Sequence, residues 1–390
     1  MEHFADWPAG KFPGAELDCA CGKRHLVGIR SIRIGSGRLR ELPQLLEELG
    51  ARQVYLLADH NTWKAAGQQA ANRMEAMGLP FHGRIFQTEK PLVPDEYAVG
   101  SALAAMEPGD DLILAVGSGT LNDTARILSA RTGVPYAIVA TAPSMDGFAS
   151  TVSPLILDGK KITKPAVYPA AILADTSILK DAPMPMLTAG FGDIIGKYTA
   201  LADWRLSRDL NGEYYCEECA ALMARAVEKC AENAGGLRRR DEQAVQYVTE
   251  ALVLSGIAMG MVGNSRPASG AEHHFAHTWE VDALARGEEH PLHGNSVGVA
   301  AVVSASLYEL AADLLPEGFQ RPDKARILQC LEAAGACADP KALGIRRDLF
   351  FESVLHAMEI RERFTILRFL DGKALLPACA VELTNRFYPV

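Results

Sequence analysis

The chain has 390 residues, of which 48% are hydrophobic and 22% charged, and its formal net charge is -9. Such a composition is typical of a globular protein of about two domains that buries its core without disulfides. The acidic balance excludes nucleic acid and anionic membranes as expected partners, because both bind basic surfaces. The N-terminus lacks the features of a signal peptide, and the longest apolar candidate, 252–262, is too short to cross a bilayer. We therefore expect a cytoplasmic protein.

The first half of the chain alternates short β-rich runs with helical runs. The pattern predicts strands at 54–59, 81–86, 111–116, 135–140 and 169–175, with helices at 63–77, 95–106 and 121–131. Strands that alternate with helices of this length imply βαβ units and a parallel sheet.

The character of the sequence changes near Pro183-Met184-Pro185. Beyond this point the chain is rich in Ala, Leu and Glu, has helical periodicity and contains no convincing strand. Helices are predicted at 187–208, 213–233, 241–263, 271–284 and 297–315. We therefore predict an α/β domain over residues 1–180 and an all-α domain over 181–390, with a cleft between them.

A glycine-containing segment follows the predicted strand 111–116 and opens the next helix. It contains Gly117, Ser118, Gly119, Thr120 and Leu121. Glycines let a ligand approach the backbone, and the unpaired amides of a helix start suit a pyrophosphate. The third glycine of G-x-G-x-x-G is absent, so the segment indicates a phosphate without matching a named motif. A tight strand–helix turn is the alternative interpretation.

Two further features lie at predicted strand ends. Asp59 ends a strand, where a carboxylate can accept hydrogen bonds from ribose hydroxyls or simply cap a helix. The turn-rich segment 141–150 follows the strand 135–140. Ligands of parallel sheets bind at the carboxyl ends of the strands, so this segment is a candidate ligand loop.

The second half contains a candidate metal site. Ser269 and Glu272 have the spacing of a capping box, which predicts a helix start near Gly270 and places His273 and His277 on one face. His274 is expected to be a surface or core histidine. The remaining candidate ligands are His293, expected in a turn, and Asp193, on an otherwise apolar helix with Gly192 and Gly196. A carboxylate and two imidazoles form a Lewis-acid site, although chance clustering of histidines is the alternative.

The eight cysteines do not form a disulfide framework. Cys19 and Cys21, with His25 nearby, look like part of a metal knuckle without a fourth partner. Cys216 and Cys219 have C-x-x-C spacing, and we interpret them as reduced thiols on a helix surface.

In combination, these segments resemble the sn-glycerol-1-phosphate dehydrogenase family. That family lies within a wider group of iron-containing alcohol dehydrogenases, glycerol dehydrogenases and dehydroquinate synthases. The likeness runs from about residue 50 to residue 300 and rests on the segments 117–120, 141–147, 190–193, 266–273 and 293–294. The sequence departs from the expected Glu-Gln at Asn295-Ser296.

The resemblance implies a dehydroquinate synthase-like fold, in which a Rossmann-like nucleotide-binding domain precedes an all-α metal-binding domain. It implies NAD(H) as cofactor, with NADP(H) as the alternative, and one divalent metal, zinc or nickel. Asp193, His273 and His293 would bind the metal, and Asp146 and His277 would contact the substrate. The cofactor-binding residues would be Asp59, Gly117, Ser118, Gly119, Thr120, Leu121, Thr141, Ala142, Pro143, Ser144 and Ser150.

The expected reaction is the reduction of dihydroxyacetone phosphate to sn-glycerol 1-phosphate. Asp193 and His277 would act in catalysis together with Asp146, and His277 or water would supply a proton. Lys160, Lys161, Lys164 and Lys197 are unranked candidates for the substrate phosphate. The family further implies a homo-oligomer, often a dimer, and a role in lipid biosynthesis.

Three alternatives remain open from the sequence. A glycerol dehydrogenase would act on an unphosphorylated polyol. A dehydroquinate synthase-like lyase would release phosphate without net production of NADH. A catalytically silent binding protein on the same fold would carry no metal.

Overall fold

A computed structural model describes residues 3–389 of the chain. Ten strands are present in this part of the molecule. They are β1 (Glu16–Asp18), β2 (Arg24–Leu26), β3 (Ser31–Gly35), β4 (Val54–Asp59), β5 (Phe81–Phe86), β6 (Leu112–Gly117), β7 (Tyr136–Ala140), β8 (Val152–Leu157), β9 (Lys160–Pro165) and β10 (Ala171–Asp175).

Six of these strands form one parallel sheet in the order β3-β10-β7-β6-β4-β5. The central strands are continuous apolar runs because both faces of the sheet are covered. Leu56 and Leu114 pack on one face, whereas Tyr55, Leu57 and Ile113 pack on the other. The pairs β1–β2 and β8–β9 are separate antiparallel hairpins.

Helices connect the strands of the sheet. The first is α1 (Leu42–Leu49), and a nearly continuous helical segment follows β4, interrupted by a π-helical turn at Trp63–Gly67. The helices of this part are α1, α2 (His60–Thr62), α3 (Gln68–Ala76), α4 (Glu96–Ala104), α5 (Gly119–Thr132) and α6 (Thr176–Leu179).

After β10 the described part of the chain consists of helices joined by loops and contains no further strand. Its longer elements pack into two apolar clusters, one of which is shared with a face of the sheet. The helices are α7 (Met184–Ile195), α8 (Lys197–Asn211), α9 (Glu217–Glu232), α10 (Ala234–Arg238), α11 (Glu242–Val262), α12 (Ala271–Ala285), α13 (His293–Leu310), α14 (Lys324–Ala334), α15 (Arg347–His356), α16 (Ile366–Asp371) and α17 (Leu376–Phe387).

This architecture confirms the predicted fold class, an α/β part followed by an all-α part. All five predicted strands of the sheet are present, within two residues at their starts and one at their ends. The division into domains at residue 180 stays a prediction. The pattern missed β3, which completes the sheet, and the two hairpins, because short strands with one exposed face carry little apolar signal.

Three local predictions were wrong. The helix predicted over 187–208 is divided at Gly196 into α7 and α8. His293 is not in a turn but is the first residue of α13. The expected capping box does not form, because Gly270 is the N-cap of α12 and its amide donates to Glu272 Oε1 at 2.5 Å, while Ser269 makes no cap hydrogen bond.

Helix α11 extends beyond the short apolar run of the sequence. Its 21 residues, with a mean hydropathy of 1.4 over the most apolar window, are long and apolar enough to cross a membrane. However, 72% of that window is buried inside the protein. The apolar surface of α11 is therefore used in packing against its neighbours, as in the core helix of a globular fold.

Helices α7 and α13 approach each other backbone to backbone. A Cβ atom at Gly294 would lie 1.9 Å from the carbonyl oxygen of Ala189, and one at Gly192 would lie 2.4 Å from that of Gly294. Only glycine fits at such a crossing. The close approach of α13 explains why glycine stands beside Asp193 in α7.

A substitution at a third contact of α7 tests how far the fold depends on this packing. A Cβ atom at Gly190 would lie 1.8 Å from the carbonyl oxygen of Pro143, so Gly190→Ala forces backbone atoms apart. We expect a loss of about 1–3 kcal/mol in the free energy of unfolding, measured by chemical denaturation. The matched control is Gly100→Ala in α4, where a Cβ would meet nothing within 4 Å. This control should be neutral or stabilising by up to about 1 kcal/mol, and equal effects of the two variants would contradict the interpretation.

Candidate active site

A cleft of about 1450 Å³ opens along the carboxyl ends of the parallel strands. Residues directly after or at the end of several strands line it, which is where parallel sheets bind ligands. Among the sequence-predicted cofactor residues, those that line the cleft are Asp59, Ser118, Gly119, Thr120, Leu121, Thr141 and Ala142.

The start of helix α5 faces this cleft. Its N-cap, Ser118, makes no side-chain cap hydrogen bond. Instead the Ser118 hydroxyl donates to the carbonyl oxygen of Ala142 at 2.8 Å and lies 2.7 Å from Ser144 Oγ. No side chain caps the first turn within the described residues. The amides there can therefore bind an anion, as at other phosphate-binding helix starts.

The other predicted cofactor residues lie outside the cleft lining. Gly117 ends β6, and Pro143 and Ser144 continue the loop that begins at Thr141. The Ser150 hydroxyl donates to the carbonyl oxygen of Val152 at 3.1 Å. Ser150 thus shapes the start of β8, and its hydroxyl is engaged by the protein itself.

Asp59 has two roles in the geometry. Its Oδ1 atom accepts hydrogen bonds from the amides of Asn61 at 2.9 Å and Thr62 at 2.8 Å, and so caps α2. The carboxylate also lines the cleft. Because both cap hydrogen bonds use Oδ1, the other oxygen remains able to accept hydrogen bonds from a ligand.

Asp193, His273 and His293 converge at one point although three different helices carry them. One ligand atom of each lies within 4.8 Å of the others. His273 Nε2 is 3.8 Å from Asp193 Oδ1, and the rings of His273 and His293 have centroids 5.2 Å apart. This donor set, one carboxylate and two imidazoles with room for a further ligand, fits a divalent metal in a catalytic site.

Carboxylates behind the two imidazoles orient them. His273 Nδ1 lies 2.8 Å from Glu272 Oε1, and His293 Nδ1 lies 2.7 Å from Glu280 Oε1. Each Nδ1 therefore donates to a carboxylate and leaves Nε2 as a lone-pair donor. This arrangement is the usual second layer of a histidine–metal site.

The electrostatics of the cluster also fit a cation. Burial and then the nearby Asp146 carboxylate raise the pKa of Asp193, so the pocket holds more negative charge than it can stabilise alone. Burial holds the pKa of His273 well below its ordinary value. His273 is therefore neutral, as a metal ligand must be.

Lys197 is a fully buried ammonium beside this cluster. It lies 2.5 Å from Asp193 Oδ1 and 2.8 Å from Asp146 Oδ2. These carboxylates raise the pKa of Lys197 against the effect of burial. Burial opposes ionisation of Asp146, but Lys197 and the Ser255 hydroxyl, which donates to Asp146 Oδ2 at 2.8 Å, lower the pKa of Asp146.

His277 stands next to the metal cluster, with its ring stacked on His293 at a centroid distance of 5.1 Å. Its Nδ1 is 3.2 Å from Glu280 Oε2, and Arg361 donates to its Nε2 at 3.2 Å. Lys161 also pairs with Glu280. Burial lowers the pKa of His277 to about 3, even though the hydrogen bond to Glu280 favours the charged form. His277 is therefore neutral with its proton on Nδ1.

Glu280, Glu272 and Arg361 were absent from the sequence-predicted site. Glu280 had a detectable signal, because His273, His277 and Glu280 are spaced i, i+4, i+7 and share one face of α12. Glu272 was assigned to a helix cap. Arg361 lies 84 positions from His277, and nothing in its local sequence marks it. His274 is a core histidine, as one of its two expected interpretations had it.

The fold belongs to a known structural class. A model of the iron-containing alcohol dehydrogenase family matches residues 33–183. Among solved structures, the chain resembles maleylacetate reductase from Agrobacterium tumefaciens with a TM-score of 0.71 and 17% identity, covering 96% of this chain and 98% of that one. Glycerol dehydrogenase from Schizosaccharomyces pombe gives a TM-score of 0.68 and 16% identity, with 92% and 91% covered.

Relatives of higher sequence identity show which family of this structural class the chain belongs to. Glycerol-1-phosphate dehydrogenase (NAD(P)+) of Halalkalibacterium halodurans is 35% identical over 380 residues, which cover 91% of this chain and 95% of the relative. The enzyme of the same name from Methanosarcina acetivorans is 34% identical over 364 residues, covering 91% and 94%. The chain therefore belongs to the glycerol-1-phosphate dehydrogenase family, which confirms the resemblance seen in the sequence.

Glu280 contacts both His293 and His277, one with each of its carboxylate oxygens. Glu280→Gln keeps the size of the side chain but removes the charge that orients and polarises His293. We expect the affinity of the active site for Zn²⁺ to fall about 10- to 100-fold, measured by competition with a chelator of known affinity. Glu289→Gln, at an exposed glutamate nine positions away in the same region, is the control. If Glu280→Gln binds zinc as tightly as this control, Glu280 does not support the metal ligands.

Proposed function

We propose that this protein is a metal-dependent glycerol-1-phosphate dehydrogenase, an oxidoreductase that reversibly reduces dihydroxyacetone phosphate with NADH or NADPH. One observation carries the proposal. The loop 141–146 lines the cleft with Thr141 and Ala142, and at its other end the amide of Asp146 donates to Asp193 Oδ2 at 3.0 Å. A nucleotide in the cleft and a metal on Asp193 would therefore meet at the two ends of one short loop.

The nucleotide would lie along the ends of the strands. The start of α5, with Gly117 to Leu121, would receive the pyrophosphate, and Asp59 would accept hydrogen bonds from the adenosine ribose. The loop from Thr141 to Ser144 would border the nicotinamide. The Ser150 hydroxyl is engaged by the carbonyl oxygen of Val152, at the turn that begins β8.

One divalent ion, zinc or nickel, would be held by Asp193, His273 and His293. When bound there it would polarise the carbonyl group of the substrate. Glu272 and Glu280 keep the two imidazoles oriented, and Lys197 holds Asp146 in place beside Asp193.

The substrate phosphate needs positive charge near the metal ligands. Of the four candidate lysines, Lys197 is fully buried and already paired with two carboxylates, and Lys160 and Lys164 are exposed on β9. Lys161 and Arg361 instead flank His277, at 3.4 Å from Nδ1 and 3.2 Å from Nε2. We assign these two cations to the phosphate, because a dianion beside His277 could pair with both positive charges.

His277 is positioned to deliver the proton that the oxygen on C2 takes up when the carbonyl group is reduced. It is neutral, its Nδ1 proton rests on Glu280, and Lys161 and Arg361 lie on its two sides. Binding of a phosphate by Arg361 would free Nε2 for a water molecule or for the substrate. His277 would then relay a proton to the oxygen on C2, directly or through that water.

The remaining parts of the proposal rest on the family. We expect a cytoplasmic homodimer that supplies the glycerol phosphate backbone of lipids. Size-exclusion chromatography with light scattering tests the dimer.

The activity itself has a direct test. Protein stripped of metal and reloaded with zinc or nickel should oxidise NADH in the presence of dihydroxyacetone phosphate, and Asp193→Asn should lose both the active-site metal and this activity. The control is unphosphorylated dihydroxyacetone under the same conditions. Turnover of the unphosphorylated ketone alone would indicate a polyol dehydrogenase, and release of phosphate without oxidation of NADH would indicate a lyase.

The assignment of Arg361 predicts a separate effect on KM. Arg361→Gln removes one cation beside His277, so KM for dihydroxyacetone phosphate should rise by at least about tenfold, the equivalent of 1.4 kcal/mol. The rate with unphosphorylated dihydroxyacetone should change much less. Arg347→Gln, at an exposed arginine, serves as the control. An equal loss with both ketones would show that Arg361 positions His277 rather than the phosphate.

A further inference from the structure

A second group of metal-ligating side chains lies outside the active site. Cys19 and Cys21, in the turn between β1 and β2, meet His25 on β2 and Cys216 at the start of α9. One ligand atom from each of the four lies within 4.8 Å of all the others. None of these residues belongs to the catalytic cluster.

The environment of Cys216 and Cys219 corrects their interpretation from the sequence. Both are completely buried, so they are not thiols on a helix surface. Cys216 is not within the helix either but is the N-cap residue of α9. The fourth ligand-type residue that the partial knuckle at Cys19 and Cys21 lacked is Cys216, which lies 191 positions beyond His25 in the sequence.

The distances between these atoms agree with a tetrahedral ion. Cys19 Sγ and Cys216 Sγ are 3.7 Å apart, and His25 Nε2 lies 3.4 Å from Cys21 Sγ and 3.5 Å from Cys216 Sγ. With Zn–S and Zn–N bonds of about 2.3 and about 2.0–2.1 Å, tetrahedral angles give S–S and S–N edges of about 3.8 and about 3.6 Å. A disulfide between Cys19 and Cys216 would need about 2.05 Å.

The surrounding groups prepare the side chains for a metal. His25 Nδ1 lies 2.8 Å from the carbonyl oxygen of Met261 and donates to it, which turns Nε2 toward the sulfurs. The Tyr214 hydroxyl donates to Cys21 Sγ at 3.1 Å, and the amide of Cys219 donates to Cys216 Sγ at 3.5 Å. Donors of this kind stabilise thiolates, the form of cysteine that binds metal.

We propose that Cys19, Cys21, His25 and Cys216 form a structural zinc site. Four protein ligands close the coordination sphere, so no position remains for a substrate, in contrast to the three ligands of the active site. Binding displaces the three thiol protons to solvent and leaves zinc in its ordinary divalent state. The ion would join the β1–β2 hairpin to the start of α9, elements that are far apart in the sequence.

Sulfur ligands make the two metal sites distinguishable by spectroscopy. The active-site cluster contains no cysteine among its described ligands, so only the proposed site can give thiolate-to-metal charge-transfer absorption when Co²⁺ replaces Zn²⁺. The full chain should therefore bind two zinc ions, and its cobalt form should show this absorption. Asp193→Asn should keep the absorption and one metal ion.

Substitutions separate the proposed site from the other cysteines. Cys216→Ser should lose the charge-transfer absorption and one of two metal ions but keep the metal of the active site. Cys337→Ser, at a half-buried cysteine outside both clusters, is the matched control and should behave like the unmodified chain. In the unmodified chain, zinc should protect three more cysteines from alkylation than are protected after chelation.

These measurements also define what overturns the proposal. Cobalt-loaded, unmodified protein without thiolate absorption contradicts it even if Cys216→Ser does not fold. A Cys19–Cys216 disulfide found by mass spectrometry in protein purified with zinc would likewise contradict it. So would two retained metal ions in Cys216→Ser. None of these outcomes depends on activity, so the site can fail while the proposed reaction stands.

Discussion

The close crossing of α7 and α13 is the constraint on which the rest of the active site depends. Gly192 and Gly294 let the two backbones touch, and each glycine is adjacent to a candidate metal ligand, Asp193 or His293. Larger residues at the crossing would separate these ligands by moving whole helices. The spacing of these candidate ligands is therefore set by main-chain contact, which is far stiffer than side-chain packing.

Most of the architecture could be predicted from the sequence because it is encoded locally. Central strands such as β4 and β6 are buried on both faces and appear as uninterrupted apolar runs. Asp193 stands out as an acid on an otherwise apolar helix, whereas His273 and His293 are marked by the clustering of histidines in their segment. The parts that were missed depend on contacts between distant segments. Arg361 reaches His277 only because the chain after α15 folds back over α12, and Cys216 reaches Cys19 only because the β1–β2 hairpin packs near α9. Neither neighbour leaves a periodic signal in its own segment.

Buried charge in the active site is organised as a continuous network. Glu280 serves His293, His277 and Lys161 at once, and burial, which opposes its ionisation, is overcome by His293 and then Lys161, so the pKa of Glu280 stays well below its ordinary value. One carboxylate thus connects a candidate metal ligand, His293, with the imidazole proposed to carry a proton and the lysine proposed to bind the phosphate. A change in charge at any of these groups is therefore expected to affect the others through Glu280.

Lys197 determines how the active site behaves without a bound cation. Two buried carboxylates at Asp146 and Asp193 would repel each other, and a buried charge without a partner costs several kcal/mol, on the order of 3–5. The ammonium of Lys197 contacts both carboxylates and offsets part of their repulsion in the absence of a metal ion. In the cysteine cluster, hydrogen bonds from Cys219 and His25 lower the pKa of Cys216, and the imidazole of His25, 3.5 Å from Cys216 Sγ, is the group that can offset a thiolate there. The two sites thus differ in the group that offsets their negative charge when no metal is bound. At the carboxylate site Lys197 offsets part of the negative charge before a metal would bind, whereas at the cysteine site a bound ion would add bonds that join the β1–β2 hairpin to α9.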